Sequence, residues 1–267
     1  MARRVFQVLT ALVLLVGVPQ ASSAQQVLDR IIDSGVLRVG TSGTQPPFSV
    51  RDRSGELMGY EIQLAEALAA AMGVEVQFVE RPFGQLLDAL EAGDVDAVMS
   101  GMTISPERNR RVAFVGPYLV SGKSILTKSS TIAAAKEATD IDQSSIRVAA
   151  LANSTSQTFV EVVLPEAQST WTEDHAGAVD MVRNDEVDAV VADFPVLALA
   201  MLRYPNEGLA TLVTPLTVEP IGMAVPAGDA LLLNMIENYL QGLQLSGALT
   251  ELEAFWFESG AWLASLP

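Results

Sequence analysis

One short polar stretch, residues 100–108, carries the groups that bind a small anion. It reads Ser-Gly-Met-Thr-Ile-Ser-Pro-Glu-Arg and follows an apolar run, residues 95–99, that is typical of a buried strand. The backbone N–H groups of Gly101 and Thr103, the Thr103 hydroxyl and the Arg108 guanidinium could converge on one carboxylate. A planar guanidinium matches a carboxylate through two parallel hydrogen bonds, which a lysine cannot do. The stretch therefore predicts a carboxylate-binding loop.

The same loop should start a helix. Ser105 is a favoured N-cap residue, and Pro106 suits the first helical position, where its missing N–H is not needed. The alternative is that Arg108, next to Arg110 and Arg111 in this polar run, is a solvated charge in the first turn of a surface helix. The local pattern leaves both interpretations open.

Asp193 is the second candidate for binding chemistry. It closes an apolar strand, residues 187–191, and precedes a helix that begins near Pro195. One interpretation is a helix N-cap, a position that aspartate favours. The other is a carboxylate that faces a cleft and pairs with an ammonium group. Arg108 and Asp193 on opposite sides of a cleft would together fit a zwitterion, and the two roles of Asp193 do not exclude each other.

Strands and helices alternate along the chain in two similar units. The apolar patterns of the first unit predict strands at residues 36–40, 74–79 and 95–99, and helices at residues 60–72 and 82–92. Those of the second unit predict strands at residues 146–151, 169–172 and 187–191, and helices at residues 154–163, 174–184 and 195–204. This order predicts an α/β fold in which each unit is a mostly parallel sheet covered by helices.

Two extended segments, residues 120–128 and 221–225, lie at the junctions of these units, and two helices, residues 230–243 and 248–257, complete the chain. We therefore expect two lobes with a cleft between them. Ligands of open α/β sheets bind beyond the carboxyl ends of the strands, which is where the Arg108 loop and Asp193 fall.

The first 24 residues have the order of an export signal. Two arginines precede the apolar residues 5–18, and small residues lead to Ala24, after which we expect cleavage. The uninterrupted apolar core, residues 11–18, is too short to span a bilayer, which takes about 20 residues. The chain has no cysteine, so neither disulfides nor the acylated cysteine of a lipoprotein are expected. Residues 25–267 should therefore be free in a periplasmic space.

Charge and composition exclude several classes of function. The chain has 16 basic and 32 acidic residues, a net charge of −16 that falls to −18 when the two signal arginines are removed. Such a chain repels nucleic acid and anionic lipid. With no cysteine and one histidine, His175, thiolate–zinc sites, Cys/His nucleophile pairs and multi-histidine metal centres are excluded. We expect no metal and no cofactor, and a surface position for His175.

The landmarks taken together resemble the family 3 periplasmic solute-binding proteins of ABC-type amino acid importers. The segments that carry the resemblance are residues 35–40, 47–48, 59–65, 101–108, 114–118 and 187–193. The resemblance implies a two-lobed periplasmic-binding-protein fold of type II, with hinge strands near residues 118–122 and 217–221. The implied division is residues 25–120 and 220–267 for lobe one, and residues 121–219 for lobe two.

The resemblance also implies a set of binding residues. The carboxylate of the ligand falls to Arg108, Thr103 and the backbone of Gly101 in lobe one, and to Ser154 and Thr155 in lobe two. A helix N-terminus at Ser154 makes independent sense, because its free N–H groups and dipole attract an anion. The resemblance gives the ammonium to Asp193. It makes Phe83 an aromatic wall, although Phe83 could equally belong to the core.

Some positions depart from the family pattern. Ser42 stands where binders of lysine, arginine or histidine carry an acid, and Gln45 stands where a wall aromatic is often found. Leu151 replaces a lysine or another polar group of some members, and Gln63 replaces an aspartate of the first long helix. A cationic ligand is therefore not expected, and a neutral polar or modestly apolar amino acid is.

The function that the resemblance implies is capture of a free amino acid by hinge closure. Contacts from both lobes form only in the closed state, so the ligand favours closure. The expected partner is a membrane permease, and the protein is expected to be a monomer and not an enzyme. One rival is an exported cyclohexadienyl dehydratase-like enzyme on the same fold. Another is the ligand-sensing part of a receptor.

Overall fold

A computed structural model describes residues 26–212 and 214–267. The predicted export signal, residues 1–24, lies outside the described residues. The α-helices are α1 (Gln26–Ser34), α2 (Tyr60–Met72), α3 (Leu86–Glu91), α4 (Ser130–Ala133), α5 (Thr155–Val163), α6 (His175–Arg183), α7 (Phe194–Arg203), α8 (Ala230–Ser246) and α9 (Ala248–Glu253). The strands are β1 (Val36–Thr41), β2 (Thr44–Gln45), β3 (Ser49–Arg51), β4 (Leu57–Met58), β5 (Glu75–Glu80), β6 (Ala97–Val98), β7 (Ala113–Ser121), β8 (Lys123–Thr127), β9 (Arg147–Leu151), β10 (Gln168–Thr172), β11 (Ala189–Asp193), β12 (Ala210–Thr211) and β13 (Glu219–Val225).

The first sheet has five strands in the order β5-β1-β6-β13-β7. β1 runs parallel to β5 and β6, whereas β13 runs antiparallel to β6 and β7. The helix α2 packs against this sheet and stops at Gly73, which adopts φ 72° and donates its N–H to Ala69 and Ala70. This position suits glycine, because residues with a side chain rarely adopt a positive φ.

The second sheet also has five strands, in the order β10-β9-β11-β8-β12. β9 is parallel to β10 and β11, whereas β8 is antiparallel to β11 and β12. In each sheet, therefore, four strands run in one direction and one runs against them, β13 in the first sheet and β8 in the second. The mostly parallel sheets that the sequence predicted are confirmed. The antiparallel strands are the ones by which the chain passes from one sheet to the other. A separate small antiparallel sheet has the order β2-β3-β4.

The strands β7 and β13 belong to the first sheet and lead to and from the second. β7 ends at Ser121, and β8 begins the second sheet at Lys123. On the return path, Glu219 at the start of β13 pairs with Ser121. The two crossing segments therefore lie side by side, which is the geometry that two hinge strands need.

The hydrophobic core is divided among the two sheets and their contact. One cluster covers one face of the first sheet and includes Trp256 and Trp262 from the C-terminal region. The indole of Trp256 donates to the Gln63 side chain, 2.9 Å away, which fixes the C-terminal segment on α2. Two other clusters cover the two faces of the second sheet. Leu151 of β9 packs among residues of lobe one, so the two lobes are in contact.

Two predicted elements are shorter than the sequence indicated. The strand predicted at residues 95–99 is regular only over Ala97–Val98. The helix predicted after Ser105 is a single 3₁₀ turn, Arg108–Arg110. The chain must enter β7 at Ala113, so the loop has no room for a longer helix.

Candidate functional site

The Arg108 loop is held by its own polar groups and by β13. Ser105 Oγ accepts the Arg108 backbone N–H at 3.2 Å, but the 3₁₀ turn begins only after Glu107, so Ser105 is not the N-cap that the sequence predicted. The Ile104 N–H donates to Pro220 at 2.7 Å, and Thr103 forms a bridge with Ile221. The loop therefore sits directly on the returning hinge strand.

The Arg108 side chain bonds to its own loop and lies near Phe83. Its Nη1 donates to the Thr103 carbonyl at 2.9 Å, and its guanidinium lies 5.6 Å from the centre of the Phe83 ring. Burial lowers the pKa of Arg108, while the charges of Asp193, Glu107 and Glu219 raise it. The group stays charged, since an arginine titrates far above neutral pH. Because the Thr103 carbonyl is the only acceptor recorded for the guanidinium within the described residues, most of its five N–H donors are left for a ligand.

The second lobe presents a helix N-terminus to this arginine. Ser154 caps α5, its Oγ accepting the N–H groups of Ser156 at 3.1 Å and Gln157 at 3.2 Å. The Thr155 N–H remains as a helix-end donor. Thr155 Oγ1 lies 3.3 Å from Thr103 Oγ1, so the predicted carboxylate-binding residues of the two lobes touch each other.

Arg108, Ser154 and Thr155 line one cavity of about 340 Å³ between the lobes, to which Glu107, Arg111 and Glu161 also contribute. Phe83, Met102 and Arg108 form its lobe-one wall, and Ser154 and Thr155 lie on the lobe-two side. Phe83 is buried in the same apolar cluster as Leu151. It therefore fits both of its predicted descriptions, as a core residue and as a wall of the cleft.

Gly101 differs from its predicted role as a donor to the ligand. Its N–H donates to both carboxylate oxygens of Glu61 at 2.9 Å, so the group is already used inside lobe one. Gly101 adopts φ 59°, and a Cβ there would lie 2.5 Å from the Gln45 amide nitrogen. Gly101 allows the loop to adopt a positive φ here, and Glu61 accepts the N–H of the loop.

Glu61 is a buried carboxyl that the sequence did not single out. The Tyr118 hydroxyl of β7 also donates to it. Burial raises the pKa of Glu61 to about 7, and the hydrogen bonds from Tyr118 and Gly101 oppose that rise. Glu61 thus joins the binding loop to a hinge strand. A charged residue next to Tyr60 at the start of an apolar helix was the available signal.

Ser42 and Gln45 lie beside this loop with polar atoms to spare. The Ser42 N–H donates to Ser100 Oγ at 3.0 Å, but Ser42 Oγ and Gln45 Oε1 are buried and have no partner among the described residues. Buried polar groups are usually satisfied, so unpartnered ones next to a cleft point to a ligand.

Asp193 is buried and faces Lys123 across the β8–β11 pair. Lys123 Nζ lies 2.9 Å from Asp193 Oδ1 and 3.8 Å from Glu219 Oε2. Asp193 stands at the N-cap position of α7 but makes no side-chain capping bond, so the capping interpretation is wrong. Its charge acts on Arg108, although Asp193 does not line the cavity described above.

Lys123 and Glu219 are residues that the sequence interpretation missed. Their partners lie far along the chain, 70 residues in the case of Lys123 and Asp193. The one local signal was a lysine at the start of an otherwise uncharged strand, residues 123–127.

His175 is buried, so the predicted surface position is wrong. It is 5% exposed, and its Nδ1 has no partner among the described residues. It borders a small gap with Thr44 and Pro46 of lobe one. Burial is the main reason that its pKa falls to about 4, so the imidazole is neutral at neutral pH.

Within residues 26–212 and 214–267, no helix combines the length and the apolar character that a membrane span requires. No group of three or more histidine, cysteine, aspartate or glutamate side chains in this part of the chain could hold a metal ion.

Known proteins with similar sequences include solute-binding proteins and a cyclohexadienyl dehydratase of Pseudomonas aeruginosa, which is 27% identical over 256 residues, 96% of this chain and 95% of its own. A model of the bacterial extracellular solute-binding proteins, family 3, matches residues 37–259, and the chain belongs to this family. The L-cystine-binding protein TcyJ of Escherichia coli (strain K12) is 28% identical over 258 residues, which cover 96% of each chain.

Solved structures of related proteins have the same fold. The ancestral amino acid-binding protein AncCDT-1, a precursor of cyclohexadienyl dehydratase, is 36% identical with a TM-score of 0.80, over 86% of this chain and 99% of its own. A putative ABC transporter binding component from Wolinella succinogenes, complexed with lysine, is 33% identical with a TM-score of 0.82, over 86% of this chain and 99% of its own. The two-lobed type II fold that the sequence predicted is thus confirmed.

Proposed function

From its membership of this family, we propose that the protein captures a free amino acid between its two lobes and delivers it to an ABC-type membrane permease. The names of its relatives, an L-cystine-binding protein and an ancestral amino acid-binding protein, support this ligand class. The single observation that carries the proposal is the meeting of Arg108 from one lobe and the Ser154-capped helix from the other at one cavity.

The α-carboxylate of the ligand would bind at this meeting point. Arg108 supplies two parallel charge-assisted hydrogen bonds, each of about 1.5–3 kcal/mol. The Thr103 hydroxyl and the Thr155 N–H add donors from the two lobes. Thr103 Oγ1 and Thr155 Oγ1 lie 3.3 Å apart, so one carboxylate oxygen within reach of both hydroxyls would accept a hydrogen bond from each.

The α-ammonium would bind at Asp193, and the side chain would lie against Phe83. Ser42 and Gln45 would contact the far end of the ligand side chain through their unpartnered oxygens. Gly101 contributes by the shape of the loop rather than by its N–H, which Glu61 accepts.

Closure would move two rigid units, residues 25–120 with 220–267 and residues 121–219. The paired crossing segments at Ser121 and Glu219 are the natural hinge. A ligand that touches both units favours the closed state by as much as its contacts differ between the two states.

The cellular setting follows from the same proposal. Residues 1–24 direct export and are cleaved, and the released chain works in the periplasm as a monomer without a lipid anchor. It needs no metal and no cofactor, and it catalyses no reaction. Its partners are the amino acid and the permease of the inner membrane, and nucleic acid is not among them.

Calorimetry on residues 25–267 with a panel of amino acids tests this function. We expect at least one to bind, and we expect Arg108→Ala to weaken that binding at least tenfold, about 1.4 kcal/mol. Arg110→Ala is the matched control, because Arg110 is an exposed arginine of the same loop. Equal affinities of the wild type and Arg108→Ala would reject the carboxylate site.

The rival function is enzymatic, and the similarity to a precursor of cyclohexadienyl dehydratase is the observation in its favour. Incubation of the protein with prephenate or arogenate distinguishes the enzyme from the binding protein. We expect no aromatic product above the background of a heat-denatured sample. Product formation that is lost in Arg108→Ala would establish the enzyme instead.

A further inference from the structure

His175 is the one histidine of the chain, and the proposed binding site does not use it. It begins α6 of lobe two, directly after the cap Asp174, and it is 5% exposed. A solvated histidine has a pKa of about 6.5, so its charge changes close to neutral pH. A change of charge in this buried place must alter the stability of the contact that buries it.

The contact beside His175 joins the two lobes. The helix α6 packs against β2 of lobe one. His175 lines a gap of about 50 Å³ together with Thr44 and Pro46 of lobe one and with residues of α7. Thr44 and Pro46 belong to one of the two units that the hinge joins, and His175 belongs to the other. Opening of the hinge would therefore separate them and admit water to the imidazole.

The closed arrangement is unfavourable for a protonated imidazole. His175 Nδ1 is buried and has no partner among the described residues, so a proton there lacks an acceptor. Burial is the main reason that the pKa of His175 falls to about 4, and the charge of Lys123 adds to the fall. The carboxylates of Asp193 and Asp174 act in the opposite direction but do not outweigh burial.

The other elements around α6 do not supply a compensating charge. Arg203 and Tyr204 of α7 line the same gap, and the arginine repels a second cation. The strands β2 and β10 contain no charged residue. Arg147 of β9 lies at the opposite end of that strand, where it pairs with Asp188. Among the described residues around α6, nothing replaces the water that a charged imidazole would lose on closure.

We propose that His175 makes closure dependent on pH: the lobes close on the ligand while the imidazole is neutral, and its protonation favours the open state. The inference rests on the proposed function, because it requires a ligand that is held by closure. It adds to that function the release of the ligand in acid. Because the pKa of His175 is lower in the closed state, its contribution to closure is complete above about pH 6.5 and is lost as the pH falls toward 4.

Glu61 is also buried with a pKa near neutral, but it does not share this role. Its partners Gly101 and Tyr118 lie in lobe one with it. Closure moves these three residues together, so the surroundings of the carboxyl group stay the same. The pH acts on closure through His175, which changes its surroundings.

The first experiment measures ligand affinity at pH 7.5 and at pH 5. It uses calorimetry on residues 25–267 without a histidine tag. The ligand is the amino acid that binds most tightly at pH 7.5, with histidine left out because its own side chain titrates in this range. We expect binding to be at least fivefold weaker at pH 5, and pKa values of 6.5 and about 4 set an upper limit of about 30-fold.

The outcomes of this experiment separate the inference from the proposed function. Equal affinities at the two pH values would overturn the inference and leave the proposed function standing. Binding of no amino acid at pH 7.5 would reject the proposed function, and the inference would fall with it.

The second experiment replaces the imidazole. His175→Gln is neutral at both pH values, so the difference in affinity should fall below twofold. Asp180→Asn is the matched control, because Asp180 is an exposed residue of the same helix that pairs with Arg183, and it should keep the pH dependence of the wild type. Circular dichroism at both pH values establishes that each protein is folded. A fivefold difference that persists in His175→Gln would overturn the inference.

NMR of the imidazole tests the inference without a substitution. Since the chain has one histidine, its ring C–H signals report the titration of His175 directly. We expect a midpoint above pH 6 in the ligand-free protein and below pH 5 with saturating ligand. The same midpoint in both forms would overturn the inference, whether or not His175→Gln folds.

Discussion

The two ends of the cleft are built in different ways. The carboxylate end, formed by Thr103, Arg108, Ser154 and Thr155, consists of short local segments whose donors point into a cavity. The proposed ammonium end is Asp193, which binds the buried Lys123, and Lys123 in turn lies near Glu219. The proposed carboxylate end is therefore open to a ligand at little structural cost, whereas Asp193 belongs to the junction of the two sheets, since β8 and β11 lie in the second sheet and β13 lies in the first.

This difference explains what the sequence could predict. Residues 101–108 are contiguous and could be proposed from local pattern. Ser154 and Thr155 were proposed from the family resemblance, and the structure shows Ser154 as the cap of α5. Lys123 and Glu219 could not, because their role depends on strand pairing between residues that are distant in sequence. The sequence placed Asp193 as a candidate but offered a capping role that the structure does not contain.

The fold shows the same difference between features set by local sequence and features set by distant residues. The alternation of strands and helices predicted two α/β lobes, and α2 covers the residues 60–72 that the apolar pattern predicted. The helix predicted after Ser105 failed because a local cap cannot show that β7 begins only a few residues later. The surface position predicted for His175 was wrong for a related reason. His175 lies beside a gap that Thr44 and Pro46 of the other lobe also line, and both residues are distant from it in sequence.

The largest expected effect comes from breaking the ammonium end. Asp193→Asn removes the partner of the buried Lys123, and such a change costs about 3–5 kcal/mol of unfolding free energy. Arg108→Ala should cost less than about 1 kcal/mol, since Arg108 makes one backbone hydrogen bond within the described residues. Urea denaturation without ligand measures both. Equal losses of stability would erase the distinction between the two ends.

A second prediction concerns Glu61, which supports the carboxylate end from below. The pKa of Glu61 in the folded protein is raised to about 7, above its value of 4.5 in the unfolded chain. Its favourable contribution is then complete below pH 4.5 and is lost as the pH rises through about 7. Glu61→Gln should match the wild type near pH 5 and exceed it by about 1–3 kcal/mol at pH 8.

The comparison with Glu61→Gln is needed because His175 acts in the opposite direction. Its pKa is lowered by burial to about 4, so its contribution grows as the pH rises toward 6.5. The difference between the wild type and Glu61→Gln cancels this effect. Glu75→Gln on the surface of the first sheet is the control. A difference that does not change with pH would show that Glu61 is ionised throughout.

The smallest expected effect concerns closure, where the two ends are brought together. Gly84 of lobe one approaches Asn153 of lobe two so closely that a Cβ would lie 2.8 Å from its amide nitrogen. Gly84→Ala should therefore oppose the closed state and weaken ligand binding about tenfold, or 1.4 kcal/mol. The stability of the ligand-free protein should not fall, because the clash arises between lobes. Calorimetry and urea denaturation separate the two quantities.

Gly242→Ala is the control for this prediction. Gly242 lies in α8 with no atom within 4 Å of the position of a Cβ, so alanine should raise helix stability and leave binding unchanged. If Gly84→Ala binds as tightly as Gly242→Ala, the lobes do not close to the distance described for Gly84 and Asn153.

The most direct test of the account is a crystal structure of residues 25–267 with the amino acid that binds most tightly in calorimetry. The account predicts the α-carboxylate within hydrogen-bond distance of the Arg108 guanidinium and the Thr155 N–H. It also predicts the α-ammonium on Asp193, with Lys123 still beside it. A ligand whose ammonium lies away from Asp193, or one bound outside the cleft between the lobes, would contradict it.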